Sequence, residues 1–316
     1  MKLFVELPTW MGDAVMATPA LERIVTAYPN VKITLFGSYV ATQLFLSHPN
    51  VDSVIVDESR KSKKRYLWLY HFAKEAGRFD AALSFRSSFA SRLLFWFLEA
   101  EKKCVYRKAK GIVEHQVVRY NRFVEKCFDW DSEEPGKLKL YLPEENAEKP
   151  DRKQAGINPG ASYGSAKRWY PEKFAQVAAA LSKEYDIVIF GGPGEADIAA
   201  DIEAGLKQES VHNYENLAGK TSVPELMKKI ASLDLFITGD SGPMHVAAAF
   251  GVPTVALFGP TKETETSQWK NDNGVIVKKE MACAPCMKRT CPLGHHECMT
   301  RIDANDVLEV VKGIRG

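Results

Sequence analysis

The chain has 316 residues, which at about 150 residues per domain predicts two domains and excludes a single small module. Hydrophobic residues make up 45% of the sequence and charged residues 26%, which argues against a disordered, collagenous or coiled-coil protein. Lys and Arg number 42 and Asp and Glu 40, so the formal charge of +2 excludes a protein whose whole surface binds nucleic acid. Any anionic partner must be bound by a local patch of positive charge.

The amino terminus does not have the composition of a secretion signal. Glu6 and Pro8 interrupt the apolar stretch that a signal peptide needs. Apolar runs such as residues 93–98 are far shorter than the roughly 20 residues that cross a bilayer. Six cysteines are few for a secreted disulfide framework in a chain of this length. We therefore expect a cytoplasmic protein that does not span the membrane.

The first half of the chain alternates short runs typical of strands with helical patterns. The pattern predicts strands at 2–7, 31–36, 52–56 and 80–85, and helices at 15–28, 39–47 and 88–98. Such alternation predicts parallel βαβ units. The polar stretch 144–154, which contains one Pro, has the composition of an interdomain linker. The first domain would then span 1–150 and the second 151–316.

The alternation resumes in the second half. It predicts strands at 155–158, 186–190, 233–238 and 254–258, a helix at 171–183 and a last helix at Ala304–Ile314. Continuous apolar runs of this length fit strands that are covered on both faces. The expected fold class is therefore α/β, with two doubly wound parallel sheets. The last helix could pack back across the first domain.

The most informative motif follows the strand predicted at 233–238. A turn flanked by glycines leads into a helix, whose amide groups and dipole would bind phosphate oxygens through Ser241 and Gly242. Ser241 is also a good helix cap, so an ordinary capped helix remains the alternative. Asp240 would repel a phosphate and should face sugar hydroxyls instead. His245 would donate to a phosphate or lie satisfied in the core.

Two further turns follow strands of the second domain. Residues 158–169 combine glycines and small hydroxyl residues with Lys167, which supplies a point charge for phosphate; the alternative is a solvated loop. The turn from Gly191 to Glu195 is a candidate for the same ligand or only a tight connection. The three turns converge where ligands bind in open α/β sheets.

The first domain offers one carboxylate and several cations. Gly12 follows the first strand and lets a substrate approach closely, and Asp13 is either a helix cap or a catalytic group. Arg86 follows a strand of the same sheet. A strand-to-helix connection carries five cations, which form a solvated face unless they share an edge with Asp13: Arg60, Lys61, Lys63, Lys64 and Arg65.

Four cysteines lie close together in the sequence, at Cys283, Cys286, Cys291 and Cys298. The first pair has a spacing that suits a structural zinc, but the remaining gaps match no zinc ribbon or finger. Free or redox-paired thiols in a packed loop are the alternative.

These motifs resemble glycosyltransferase family 9 over nearly the whole chain. The matching segments, in order, are 11–13 with Thr18 and Pro19, 158–161 leading to 167–169, 240–245 and 258–261. The resemblance implies the GT-B architecture, in which two Rossmann-like domains face a cleft, with the acceptor in the first and the donor nucleotide in the second. It also implies inversion at the anomeric carbon without a metal or other cofactor, and late cysteines that are not catalytic metal ligands.

The resemblance also implies roles for individual residues. Asp13 would be the general base, and Asp240 would hold heptose hydroxyls. Tyr163 departs from the residue type common in the family at its position. The residues implied to contact the donor phosphates are Ser162, Tyr163, Lys167, Ser241, Gly242 and His245.

The reaction implied by the resemblance is transfer of L-glycero-D-manno-heptose from ADP-heptose to the first heptose of the lipopolysaccharide inner core. The acceptor, built on Kdo and lipid A, bears phosphates and carboxylates, which suits the cations of the first domain. The protein would then bind peripherally to the cytoplasmic face of the inner membrane. The alternatives are a family 9 transferase with another acceptor such as Kdo, a GT-B nucleotide-sugar epimerase, and a non-catalytic sugar-nucleotide binding module.

Overall fold

A computed structural model describes residues 1–108, 111–143, 151–161 and 163–314 of the chain. The chain divides after Pro143 into two compact units. Each unit contains one sheet in which all paired strands are parallel. Residues 144–150 of the predicted linker and the donor candidate Ser162 lie outside the described residues.

The first unit has a five-stranded sheet in the order β3-β2-β1-β4-β5. Its elements, in chain order, are β1 (Lys2–Glu6), α1 (Met11–Met16), α2 (Thr18–Ala27), β2 (Lys32–Gly37), α3 (Tyr39–Gln43), β3 (Val51–Val56), α4 (Arg65–Glu75), β4 (Arg78–Ser84), α5 (Phe89–Phe97), β5 (Glu99–Val105) and α6 (Gln116–Phe128). A 3-10 turn, Ser59–Lys61, lies between β3 and α4.

Helices cover both faces of this sheet. Phe4 and Phe36 point from β1 and β2 into a buried cluster with α4 and α5, where the Phe36 and Phe72 rings stack with centroids 4.7 Å apart. On the other face α1, α2 and α3 contact one another or α6. The chain runs from β1 to β3 in one direction along the sheet, through α1 to α3, and then to β4 and β5 in the other direction, through α4 and α5. Because each crossover is right-handed, the two sets of helices lie on opposite faces.

Two predicted helices of the first unit differ from the observed ones. The helix expected at 15–28 is two helices, because Pro19 lies in the first turn of α2 and cannot donate a hydrogen bond back into α1. The helix expected at 39–47 ends at Gln43. Strand β5 was not predicted, because it is rich in charged residues and lacks an apolar run. It lies at the edge of the sheet, where charged residues are common.

A disulfide joins the last strand of the first unit to its last helix. Cys104 of β5 and Cys127 of α6 are bonded, with Cα atoms 6.0 Å apart. The two residues are 23 positions apart in sequence and carry no motif, so the sequence did not indicate the pair.

The second unit has a six-stranded sheet in the order β11-β10-β9-β6-β7-β8. Its elements are β6 (Gln154–Asn158), α7 (Pro171–Leu181), β7 (Asp186–Ile189), α8 (Ala196–Gln208), β8 (Tyr214–Asn216), α9 (Val223–Ala231), β9 (Leu235–Gly239), α10 (Gly242–Ala249), β10 (Thr254–Leu257), α11 (Glu263–Thr266), β11 (Gly274–Val277), α12 (Glu297–Thr300) and α13 (Ala304–Ile314). Short 3-10 turns lie at Ser165–Lys167 and Pro193–Glu195.

The core of the second unit is aliphatic and centres on β6, β7, β9 and β10. These strands are buried on both faces, as their uninterrupted apolar sequences predict. Helix α13 packs on α7, β10 and β11 of the same unit. The Trp169 indole donates a hydrogen bond of 3.0 Å to the Ile302 carbonyl and so fixes the segment that leads into α13.

In the described ranges, the longest helices are α6 and α8, with 13 residues each. None of the helices described is long and apolar enough to cross a bilayer, which needs about 20 residues.

Candidate functional site

Three turns of the second unit follow neighbouring parallel strands. Asn158 at the end of β6 pairs in register with Thr238 near the end of β9, and β7 lies on the other side of β6. The carboxyl ends of parallel strands share one edge of the sheet, so the three turns meet there. We call this edge, with the turns after β6, β7 and β9, the donor edge, after the ligand that was predicted for it.

A buried ion pair links two of these turns. The Lys167 ammonium lies 2.5 Å from Asp240 Oδ2 and also donates to the Asp240 carbonyl at 3.3 Å. Asp240 is 5% exposed, and the Thr261 hydroxyl donates to its carboxylate at 2.6 Å. The predicted phosphate ligand Lys167 and the predicted sugar ligand Asp240 are therefore held side by side, and each fixes the other.

The start of α10 is not capped by the side chain of Ser241. That hydroxyl instead interacts with Asn158 Nδ2 at 3.1 Å and with the Thr238 hydroxyl at 3.1 Å. The ordinary side-chain-capped helix is therefore not what the structure contains. Gly242 begins the helix, and His245 is buried one turn further on. The first-turn amides of such a helix attract anions.

Tyr163 lies between two cations of the donor edge. The Lys167 ammonium is 4.8 Å and the Arg289 guanidinium 5.3 Å from its ring centroid. Its hydroxyl donates to the Met287 carbonyl at 2.9 Å. These contacts orient the Lys167 side chain, and they give the tyrosine, whose type departs from the family pattern, a positioning role.

The turn after β7 contacts the turn after β6. The Glu195 carboxylate accepts a hydrogen bond of 2.7 Å from the Gly192 amide, beside Gly191. It lies against Gly160, where a Cβ atom would overlap it. Gly160 is therefore required for this close approach, and Glu195 places a carboxylate at the donor edge.

The cysteine-rich segment 283–298 contacts the turn after β6 and supports it. The Ala166 amide donates to the Arg289 carbonyl at 3.0 Å, and the Ala166 carbonyl lies 2.8 Å from the His296 ring. The Tyr170 hydroxyl lies 2.9 Å from the other nitrogen of that ring. A Cβ atom on Gly164 would overlap the Arg289 carbonyl oxygen. Sequence reasoning missed this support, although the segment drew attention through its cysteines.

The four late cysteines remain thiols. Burial and the neighbouring thiols raise the pKa of Cys298 to about 11. Backbone hydrogen bonds, above all that of His296, lower the pKa of Cys291. Within the described part of the chain, no group of three or more His, Cys, Asp or Glu residues is arranged to hold a metal ion.

Asp13 lies in the first turn of α1, at the carboxyl edge of the first sheet. It is half-buried and is not the helix cap, because Trp10 occupies that position. Burial raises the pKa of the Tyr106 and Tyr120 phenols, and the negative charge of Asp13 raises it further. The Asp13 carboxylate therefore lies within electrostatic range of two phenols that stay protonated at neutral pH. Gly12 precedes it in the same turn.

Arg86, predicted as an acceptor ligand, follows β4 at the carboxyl edge of the first sheet and is paired with two acids of its own unit. Its guanidinium lies 3.3 Å from both Glu6 and Asp57, at the ends of β1 and β3, and its Nε donates to the Leu7 carbonyl at 2.7 Å. All three charged side chains are buried. Burial raises the pKa of Glu6, and the Arg86 charge opposes that effect. Arg86 therefore positions the loop before Asp13, and these pairings compete with the acceptor contact that was predicted for it.

The five cations after β3 lie where the sequence predicted, between that strand and α4. Arg60, Lys61, Lys63 and Lys64 are exposed, and Arg65 is half-buried at the first position of α4. Lys61 pairs with Glu58 at 2.9 Å. The cations and Asp13 follow parallel strands of one sheet, so they share its carboxyl edge, which we call the acceptor edge.

Comparison with solved structures shows the class of fold. The chain matches Escherichia coli ADP-heptose lps heptosyltransferase II with a TM-score of 0.80 and 24% identity, over 99% of this chain and 98% of that one. It matches E. coli heptosyltransferase WaaC with ADP with a TM-score of 0.78 and 17% identity, over 99% and 100%. These likenesses concern the fold, and they confirm the predicted GT-B class with two Rossmann-like units.

The sequence comparisons define the family. The model of glycosyltransferase family 9 (heptosyltransferase) matches residues 72–297. Lipooligosaccharide heptosyltransferase 2 of Campylobacter jejuni subsp. jejuni serotype O:6 is 42% identical over 318 residues, 99% of this chain and 98% of that protein. Lipopolysaccharide heptosyltransferase 2 of E. coli K12 is 26% identical over 351 residues, with 99% and 98% covered. The chain belongs to glycosyltransferase family 9 and is a glycosyltransferase enzyme.

Proposed function

We propose that the protein transfers L-glycero-D-manno-heptose from ADP-heptose to the first heptose of the lipopolysaccharide or lipooligosaccharide inner core. The observation that carries the proposal is the Lys167 and Asp240 pair beside the start of α10, which offers a cation and helix amides to a diphosphate and a carboxylate to a sugar. The 42% identity to lipooligosaccharide heptosyltransferase 2 of C. jejuni supports this choice of sugar and acceptor.

The donor binds at the donor edge. Its phosphates are contacted or surrounded by Lys167, Tyr163, Ser162, the amides of Ser241 and Gly242, and His245. Asp240 accepts hydrogen bonds from heptose hydroxyls. Glu195, beside Gly191, suits ribose hydroxyls better than phosphate, because two anions would repel each other. Cleavage of the glycosidic bond builds negative charge on the ADP leaving group, and Lys167 with the helix amides stabilises that charge.

The acceptor binds at the acceptor edge, with Asp13 as general base. The acceptor hydroxyl attacks the anomeric carbon as its proton passes to the Asp13 carboxylate, so one carbon–oxygen bond forms while the bond to the ADP oxygen breaks. A single displacement of this kind inverts the anomeric centre. Gly12 leaves room for the acceptor beside Asp13. The exposed cations Arg60, Lys61, Lys63 and Lys64, with Arg65, attract the phosphates and carboxylates of a Kdo and lipid A acceptor.

The lipid anchor of this acceptor sets the location of the reaction. We place the enzyme in the cytoplasm, where it contacts the inner membrane surface peripherally.

One assay tests the proposal. ADP release is measured with ADP-heptose and three acceptor conditions: Kdo and lipid A that bears the first heptose, the same molecule without heptose, and no acceptor. We expect release with the first alone. Release with the second alone would instead assign heptosyltransferase I activity. Consumption of donor without acceptor would indicate an epimerase, and binding without ADP release in any mixture would indicate a binding module.

A further inference from the structure

Helices α4 and α5 of the first unit present large apolar side chains to solvent. Trp96 is 75% exposed and Phe89 60% exposed on α5, and Tyr66, Leu67 and Tyr70 are exposed on α4. Exposed side chains of this size are costly in water when they lie together. They therefore require an explanation that single exposed apolar residues do not.

The sheet core does not account for these side chains. The inward face of α4 is already filled by Trp68 and Phe72, whose rings stack with centroids 5.4 Å apart and continue onto Phe36. Leu69 and Ala73 are buried on the same side. The outward residues are thus additional to a complete inner face.

The outward rings meet in two groups, each of which bridges the two helices. The Tyr66 and Phe89 rings meet edge to face with centroids 5.8 Å apart. Tyr70 meets Phe97 in the same way at 4.9 Å, and Phe97 stacks with Trp96 at 5.1 Å. We call this surface the α4–α5 face.

Positive charge borders the α4–α5 face. Arg60, Lys63 and Lys64 are exposed just before α4, and Arg92 is exposed on α5 between Phe89 and Trp96. Glu58 offsets Lys61, and Lys74 pairs with Glu99 at 3.4 Å, so the surplus cations lie toward the acceptor edge. Aromatic side chains are enriched at the depth of the lipid headgroups, and Lys and Arg are attracted to anionic lipids. A surface that combines the two therefore favours binding to an anionic membrane.

We propose that the α4–α5 face docks on the surface of a bilayer that contains anionic phospholipids. The aromatic side chains enter the headgroup region, and the bordering cations bind lipid phosphates. This places the acceptor edge, with Asp13, beside the lipid that anchors the acceptor, and in that respect the inference rests on the proposed function. A second copy of the chain fits the surface less well, because a symmetric contact would bring like cations together.

Vesicle binding by the full chain tests the proposal. The probes are vesicles of phosphatidylethanolamine with phosphatidylglycerol, and vesicles of phosphatidylcholine alone, with flotation as the readout. We expect binding to the anionic vesicles that weakens as salt is added. Phe89→Ser with Trp96→Ser should weaken binding about tenfold or more, because the apolar contact is lost. Lys63→Gln with Lys64→Gln should weaken it about fivefold per lysine.

Leu46→Ser is the matched control. Leu46 is 51% exposed just after α3, which covers the opposite face of the same sheet, so its loss should leave binding unchanged. Because Phe89 and Trp96 are exposed, the aromatic variant should keep the urea midpoint of the parent. It should also keep its transfer rate on a water-soluble, delipidated acceptor and lose rate only on acceptor embedded in vesicles.

Three results would overturn the inference. The first is equal binding to both kinds of vesicle or to neither, and the second is parental binding by the aromatic variant. The third is a dimer of the parent that the aromatic variant converts to monomer, which would assign the face to a second copy. Vesicle binding is measured without turnover, so failure of the proposed reaction in the ADP-release assay would be recognised separately.

Discussion

Lys167 and Asp240 form a pair that joins the turn after β6 to the turn after β9. Their charged atoms are 2.5 Å apart, and Asp240 is also held by the Thr261 hydroxyl. The carboxylate neutralises the cation that we assign to the donor diphosphate. Donor binding must therefore share Lys167 between a phosphate and Asp240, and the two residues should affect ligand affinity in opposite directions.

Substitution of this pair should separate binding from transfer. Lys167→Met should weaken ADP binding at least about tenfold, since a hydrogen bond to a charged group contributes about 1.5–3 kcal/mol. Asp240→Asn should tighten ADP binding, because it removes the anion that competes for Lys167, and should slow transfer, because a sugar ligand is altered. Isothermal titration with ADP and a transfer assay give the two readouts.

Lys229→Met is the control for loss of a paired lysine. Lys229 lies 3.3 Å from Glu215, but both side chains are about half exposed. Its substitution should leave ADP affinity unchanged. Weaker ADP binding in Asp240→Asn would contradict the competition between the carboxylate and the phosphate.

Asp13→Asn should stop the reaction without affecting the nucleotide. The amide has the same shape but cannot accept the proton, so kcat should fall by about a hundredfold to ten-thousandfold, the usual contribution of a general base. The ADP dissociation constant should stay at its parental value, because Asp13 lies in the first unit. Asp52→Asn, an exposed change on β3 of the same unit, should retain full turnover. Turnover close to normal in Asp13→Asn would remove this residue as the base.

The sequence was sufficient for the fold class and for the turns at strand ends. Strand periodicity and glycines predict where each parallel strand ends, and therefore which residues reach the shared edge. It was insufficient for contacts between distant side chains. Lys167 and Asp240 are 73 positions apart, and each is plausible alone as a ligand contact. Only the register of β6 beside β9 shows that they are partners.

Arg86 illustrates the same limit at the acceptor edge. The sequence places it after β4, with the other cations, and its charge favours an anionic ligand. Its actual partners lie at two other strands: Glu6 ends β1 and Asp57 follows β3. No sequence pattern marked either residue as a buried acid. The direction of a long side chain depends on which strand is next to which, and that order is not encoded locally.

Arg86→Met should destabilise the first unit strongly. Removal of the guanidinium leaves Glu6 and Asp57 as buried acids without their cation, which costs about 3–5 kcal/mol. Arg78→Met, at the other end of the same strand, breaks an exposed pair with Glu101 and should cost about 0–1 kcal/mol. Urea unfolding at neutral pH measures both values. Equal losses for the two variants would show that the buried network does not stabilise the fold.

Gly164→Ala should lower donor affinity through the backbone. An added Cβ atom would overlap the Arg289 carbonyl oxygen, so the turn that carries Lys167 must move away from the cysteine-rich segment. We expect weaker ADP binding and a loss of about 1–3 kcal/mol in stability, as for other overpacked sites. Gly313→Ala is the control, because a Cβ atom at that position of α13 meets nothing within 4 Å. If Gly164→Ala keeps the ADP affinity of the parent, the contacts between segment 283–298 and the turn after β6 do not position Lys167.

The four late thiols should react with iodoacetamide in an order set by their surroundings. Backbone hydrogen bonds lower the pKa of Cys291, whereas burial raises that of Cys298 to about 11. The thiolate is the reactive form, so at neutral pH Cys291 should be labelled well before Cys298 in the folded protein. Raising the pH toward 11 should increase the Cys298 rate most, because its thiolate fraction is then still growing. Mass spectrometry of timed digests gives the rates, and urea-unfolded protein, in which the two residues should react alike, is the control. Equal rates in the folded protein would contradict the burial of Cys298 at the end of the cysteine-rich segment.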